Sequence, residues 1–419
     1  MRARELARVT PIALLAAVVV MAIATRPKAR LGGAPVAVTN AALSSSGRPP
    51  LERPLVSDVP PDAAVPESAA RLLHGSAARV HRSRAHGPAA IHVGWRVPVD
   101  GPVAAQVTVS PDEATLYVAT LGGDVIALAR TDGQRRWTRK LGERAYATPL
   151  VADDGTIYVG SDAKKLVALD PSAGSIVFQL ETEGEVDTAP VFARDGTVIV
   201  AAGSQVLAVR RGGDVAWRYT ARRKIFTAPA LTADGLVIVG GQDHRVRALG
   251  AGGTEAWSTD LGADVDGGAA IADDGAIYVG TDAGEIVRLD DKGVVTWRAN
   301  VGGFVRGSLA IARNGDVLAG TYGPVPRVVR VGTDGAVRGA FAIAGTGAKE
   351  FGIHGGPLED ADGALYFGTQ DDGAYALDRD GAVRWRFSTG ADVDAPLTLL
   401  GDGSLVVPSE DGTVTLLLP

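Results

Sequence analysis

Short apolar runs of four to seven residues, rich in Val, Ile, Leu and Tyr, recur from about residue 100 to the C-terminal end. They are split by Asp-Gly or Gly-Gly pairs such as Asp154-Gly155, Asp195-Gly196, Asp234-Gly235, Asp274-Gly275 and Asp402-Gly403. Such pairs tolerate the positive φ of a tight hairpin, so this alternation predicts β-hairpins throughout. The pattern also repeats at longer range. Ile157-Tyr158-Val159-Gly160-Ser161-Asp162-Ala163 returns as Ile277-Tyr278-Val279-Gly280-Thr281-Asp282-Ala283. All six tryptophans, Trp95, Trp137, Trp217, Trp257, Trp297 and Trp385, fall on one grid of about 41 residues, and Phe178 and Phe341 fill its two vacant slots.

Four strand runs per unit at a period in the low forties predict an all-β fold, a β-propeller with one repeat per blade. Inner strand runs begin near Val103, Tyr146, Asp187, Phe226, Val265, Phe304, Gly352 and Asp392, which gives eight blades. The last unit ends at Pro419 one strand short, while the strand around Trp95, residues 91–97, has no blade of its own. It is assigned as the fourth strand of the eighth blade, a closure that removes the edges an open array would expose. The propeller is placed at residues 71–419.

Ahead of it, Arg2, Arg4 and Arg8 precede an apolar run from Val9 to Ala24, the length of a signal-peptide core. Ala22-Ile23-Ala24 offers a cleavage site, whereas Arg26, Lys28 and Arg30 oppose export, so a cleaved signal and an uncleaved anchor over residues 1–25 both stay open. Residues 26–70, rich in Ala, Pro and Ser without apolar period, are expected to be a disordered linker. Residues 1–90 carry a net charge of +7 and the remainder −13. An acidic propeller argues against nucleic acid as a partner and leaves membrane contact to the N-terminal segment. These features predict an exported, periplasmic or envelope-anchored monomer. With no cysteine, disulfides, thiol catalysis, cysteine-ligated metals and lipidation at an N-terminal cysteine are excluded.

Ala168-Leu169-Asp170-Pro171-Ser172-Ala173-Gly174-Ser175-Ile176-Val177-Phe178 resembles the repeat of the pyrroloquinoline-quinone (PQQ) propeller family, Ala-x-Asp-x-x-Thr-Gly-x-x-x-Trp. Ala376-Leu377-Asp378 to Trp385 is a version one residue shorter; Ala127-Leu128 to Trp137 keeps the spacing with Ala129 in place of Asp. The stretch Leu73 to Arg79, with Gly87-Pro88, is similar to the lead-in before the first blade of bacterial members. No Trp is followed by Asp, which argues against a WD40 propeller. The resemblance implies that the grid aromatics dock between blades and are structural. It extends most closely to the non-catalytic branch, which includes the propeller component of the outer-membrane β-barrel assembly machinery. The quinoprotein dehydrogenases of this fold carry a stacking Trp, a calcium site and often a cysteine pair. Here the cysteine pair is impossible and every Trp sits on the grid, so no PQQ, metal or other cofactor is expected and no catalytic residue is assigned.

The acidic stretches Asp360-Ala361-Asp362-Gly363 and Asp371-Asp372-Gly373 lack EF-hand spacing and read as turns. His74, His81, His86 and His92 lie in or near the lead-in without metal spacing. One set stands out. Aligned repeats place Tyr146, Asp187, Phe226, Asp266, Arg306, His354 and Asp394 where the chain leads into each innermost strand, at one mouth of the central channel. These residues are large and chemically unlike one another, with Arg306 facing three acidic members. Two functions follow. The first is a non-enzymatic envelope scaffold presenting the propeller to protein or polymer partners, with outer-membrane protein assembly as its setting. The alternative is a PQQ-dependent oxidoreductase or small-ligand binder that uses the channel mouth.

Overall fold

The computed structural model describes residues 70–348 and 351–419, together with the backbone of Val38–Thr39. The expected signal or anchor segment therefore lies outside the described residues, as does the linker except at residues 38, 39 and 70. The described strands form eight antiparallel sheets in sequence order around a ring. Blades 1 to 7 span residues 108–140, 150–181, 191–220, 230–260, 270–300, 310–342 and 358–388, and blade 8 spans 398–418. Within blade 2 the strands run Leu150–Val151, Ile157–Ser161, Lys165–Leu169 and Ile176–Glu181, from channel to rim.

Local chemistry makes the hairpins. Asp154 Oδ1 accepts the Thr156 N–H at 3.0 Å, and Gly155 supplies φ of 86°, a turn that Asp195, Asp274 and Asp402 rebuild in other blades. The two middle strands are buried on both faces, as in Ile157–Ser161, so they read as continuous apolar runs. Outer strands alternate exposed and half-buried residues.

Ring closure occurs as expected. His92–Pro98 pairs antiparallel with Thr413–Leu418, with Trp95 opposite Leu416, and completes blade 8. A second N-terminal segment, Val38–Thr39, adds a short fifth strand to the rim of blade 7, with Val38 opposite Phe387.

Each outer strand carries a β-bulge beside its aromatic slot: Trp217 faces Ala208, then Val215 faces Val209. The aromatic then lies on the positive-φ glycine of the next blade, as Trp137 does on Gly174 and Trp257 on Gly293. Its indole N–H donates to a carbonyl there: Trp95 to Arg130, Trp137 to Pro171 and Trp297 to Thr333, each at 2.8 Å. The assignment of Phe341 to this slot needs correction. In blade 6 the residue at the bulge, opposite Arg330, is Gly339, and Phe341 lies two residues further along, opposite Val328. Its side chain still reaches blade 7, against Phe367 and Tyr375 at 6.0 and 5.8 Å.

The lead-in passes once around the channel. Carbonyls of Ala70, Arg71, Ala77, Ala78, Val80 and His81 accept N–H groups of Val109, Val151, Leu231, Ile271, Ile311 and Glu359 at 2.8–3.1 Å. Each donor is the second residue of an innermost strand, in blades 1, 2, 4, 5, 6 and 7. Since those strands run away from the proposed mouth residues, the lead-in closes the opposite end.

Candidate functional site at the channel mouth

The mouth is built where the loop from one blade's outer strand turns into the next blade's innermost strand. Its geometry begins with glycines in the second strands. A Cβ at Gly160, Gly240, Gly280, Gly320 or Gly368 would collide with Val186, Val265, Val305, Ile353 or Val393 of the following blade. Those apolar residues immediately precede Asp187, Asp266, Arg306, His354 and Asp394. Close packing at each glycine therefore sets the mouth residue against the residue two places past the glycine.

Five seams repeat this pairing. Asp162 faces Asp187, and Gln242 faces Asp266, each closely enough to shift the mouth carboxyl. Arg306 holds Asp282 with Nε at 3.0 and 3.1 Å from its two oxygens and Nη2 at 2.8 Å. Tyr322 meets the exposed His354 ring edge-on at 5.8 Å. Gln370 Nε2 donates to Asp394 at 3.1 Å. The mouth member of each pair is legible in the sequence, whereas its partner was not singled out there. Its signal was present, because Asp162 and Asp282 occupy the same place in the duplicated Gly-x-Asp segments. Arg306 is thus held by Asp282 of the neighbouring blade, and the acidic mouth residues do not hold it.

Three cations lie over aromatic rings around the mouth: Arg144 over Tyr146 at 5.6 Å, Lys224 over Phe226 at 5.5 Å, and Arg306 over Phe304 at 4.5 Å. Each also contacts a carboxylate, Arg144 with Asp162 at 2.8 Å and Lys224 with Glu185 at 2.7 Å. Basic groups on blades 2, 4 and 6 thus alternate with acidic groups on blades 3, 5 and 8.

Two carboxyls here titrate far from their usual range. Asp187 is pushed up to about 7 by burial and by Asp162 and Glu185, which outweigh Lys224. Two carboxyl groups bond only when one keeps a proton, and Asp187 is the carboxyl raised enough to keep one near neutrality. Asp266 is raised to about 6 by burial and by the charges of Asp282 and Asp264, against the hydrogen bond from Gln242 and the charge of Arg306. Asp264, Asp266 and Asp282 bring carboxylate oxygens within 4.8 Å of one another. The bidentate Arg306 occupies Asp282, so the set already has a cation.

The charge of the mouth bears on the PQQ alternative. That quinone is a tricarboxylate, whereas the mouth presents Asp187, Asp264, Asp266 and Asp394, and Arg144, Lys224 and Arg306 are committed to carboxylates. The acidic turns set aside above have local roles: Asp360 accepts the N–H groups of Asp362, Ala364 and Gly87, and Asp371 accepts the hydroxyl of Tyr375 at 2.7 Å.

The family profile described as outer membrane protein assembly factor BamB matches residues 84–155, 151–251 and 242–337. Among solved structures, BamB from Moraxella catarrhalis superposes with a TM-score of 0.63 at 21% identity, over 78% of this chain and 98% of that one. The quinohemoprotein alcohol dehydrogenase from Comamonas testosteroni superposes with a TM-score of 0.69 at 16% identity, over 83% of this chain and 81% of that one. At such identities both likenesses establish the fold alone. No curated protein matches the sequence.

Proposed function

Because this chain belongs to the propeller family of the outer membrane protein assembly factor BamB, we propose that it is a non-enzymatic envelope scaffold. On this reading it is exported, acts as a monomer and presents its channel mouth to a protein partner in outer-membrane protein assembly. The supporting observation is the alternating ring of paired charges at the mouth, in which Arg144, Lys224 and Arg306 each lie over an aromatic ring and against a carboxylate. Such a rim is rigid and patterned, which suits recognition of a polar protein surface by charge complementarity. Among the described residues it offers no group placed as a nucleophile beside a base.

The shared fold with the quinohemoprotein alcohol dehydrogenase supplies the alternative, a PQQ-dependent oxidoreductase. The surplus of carboxylates at the mouth weighs against it. Affinity capture from envelope extract tests the first reading: the combined change Asp187→Ala, Asp266→Ala and Arg306→Ala should weaken capture of the partner while leaving the propeller folded. Retention of every partner at wild-type levels would remove the mouth from consideration. Purified protein mixed with PQQ and calcium should show no quinone absorbance; a bound-quinone spectrum would favour the oxidoreductase.

A further inference from the structure

Residues 73–81 turn inward from the lead-in and fill the channel with basic side chains. His74, Arg79 and His81 are buried, with His74 entirely inaccessible. His74, Gly75, Arg79 and His81 all have positive φ, at 56°, 70°, 60° and 52°. Three of these are not glycine, so the loop is wound more tightly than ordinary side chains favour. The winding is maintained by contacts to the blades. Arg79 donates to carbonyls of Leu73 at 2.8 Å and of Ala189, Pro190 and Pro229 at 3.2 Å. All four partners are neutral, so this buried guanidinium has no counter-charge in contact among the described residues.

The two imidazoles stack face to face, centroids 4.0 Å apart and planes 4° from parallel. His74 Nδ1–H donates to Leu309 O at 3.1 Å and His81 Nδ1–H to Gly356 O at 2.8 Å, so in the neutral form each ring leaves its Nε2 lone pair unpartnered among the described residues. Parallel rings send those lone pairs into parallel planes, so they do not converge on one metal ion. Gln106 completes the site, accepting from the His74 N–H and donating to Leu397 O.

We propose that residues 70–85 are a proton-operated plug, in which protonation of His74 or His81 releases the lead-in and opens the channel at both ends. An imidazolium here would stack on a second ring beside the uncompensated Arg79. The charged or titratable groups on the segments that touch the plug are Asp187, Arg306, His354 and Asp394, two or three residues from Ala189, Leu309, Gly356 and Leu397, together with Glu359, whose N–H donates to His81 O, and Arg313, which donates to Ser83 O and whose N–H is accepted by the Glu359 carboxylate at 2.7 Å. Asp187, Arg306 and Asp394 are engaged in their own seams, and His354 packs on Tyr322. On the lead-in itself, Arg71 pairs with Asp153 and Arg82 with Asp273. Burial lowers His81 to about 4 and holds His74 well below its ordinary 6.5, with the charge of Arg79 adding to the latter. A histidine depressed in the folded state supports that state fully above its unfolded value near 6.5 and loses that support as pH falls towards 4.

Hydrogen–deuterium exchange of the intact protein, corrected for intrinsic rates, tests this without a ligand. Between pH 7.5 and 5, lead-in amides such as Gly75, Arg79 and His81 should lose about tenfold or more of their protection relative to middle-strand amides, following the tenfold change per pH unit of a single titration. The variants His81→Gln and His74→Gln should lose this pH dependence in proportion to the titrating ring removed, whereas His86→Gln, an exposed control, should retain it. Constant lead-in protection in the wild type across that range would overturn the proposal, as would pH dependence that is undiminished in both plug variants. Should either glutamine variant lack a protected lead-in at pH 7.5, the wild-type profile and histidine proton resonances that titrate with plug release decide the matter.

Discussion

Trp385, on the outer strand of blade 7, donates its indole N–H to the carbonyl of Pro88 at 2.9 Å, across 297 residues of sequence. Pro88 precedes Trp95 by the seven residues that separate Arg130 from Trp137, so the lead-in supplies the hairpin position that blade 8 lacks. Ring closure thus rests on two devices, the strand His92–Pro98 and this docking contact.

Deleting residues 91–97 should therefore lower the melting temperature steeply and promote aggregation, since blade 8 would keep three strands and gain an unpaired edge. Among the described residues, deleting residues 26–68 removes the two-residue pairing on blade 7, and it should change the melting temperature little. Equal melting of the two truncations would contradict closure by the N-terminal strand.

Burial ranks the tryptophans. Trp385 is 1% exposed, whereas Trp217, Trp257 and Trp297 are half-buried. Trp385→Ala should cost about 3–5 kcal/mol in urea unfolding, the range for a buried Trp replaced by Ala. The three half-buried positions should cost less and resemble one another, about 1–3 kcal/mol at 25 cal/mol per Å² of apolar area lost. Loss of partner capture without loss of stability at any of them would mark a binding tryptophan.

Blade number, closure and the docking role of the aromatics were legible in the sequence, because each depends on a local period or on a strand count. Phe341 was misplaced because spacing along the chain does not reveal a bulge: the slot is fixed by pairing to Arg330, which selects Gly339. Partners such as Asp282 and Gln370 were readable only after the fold was known, since they meet residues 24 positions later through packing at Gly280 and Gly368. The lead-in's course around the channel left no signal, for it is held by backbone hydrogen bonds that any sequence could make.

That packing makes a separate prediction. Gly160→Ala would drive a methyl into Val186, and Gly280→Ala into Val305. Overpacking of this kind costs about 1–3 kcal/mol. It should also push the next blade's mouth residue off its partner, so both variants should lose stability and weaken partner capture together. Unchanged stability in both would show that the blades separate easily at these seams.

The proton held by Asp187 beside Asp162 gives the final prediction, whose direction follows from the raised value of about 7 for Asp187. An unfolded aspartate binds its proton near 3.8, so between about 3.8 and 7 the folded protein holds a proton that the unfolded chain has released. Stability from this pair is fully present below that window and is lost as pH rises through 7. Asp187→Asn mimics the protonated carboxyl at every pH and keeps a hydrogen bond to Asp162. It should therefore melt above the wild type at pH 8 and match it at pH 4. Lys224 against Glu185 and Arg144 against Asp162 are present in both proteins, so they shift both alike. A variant that melts below the wild type at pH 8 would show that the two carboxylates are held apart and ionised, with Lys224 and Arg144 as their counter-charges. The alternation of charge around the mouth would then continue unbroken through the seam of blades 2 and 3.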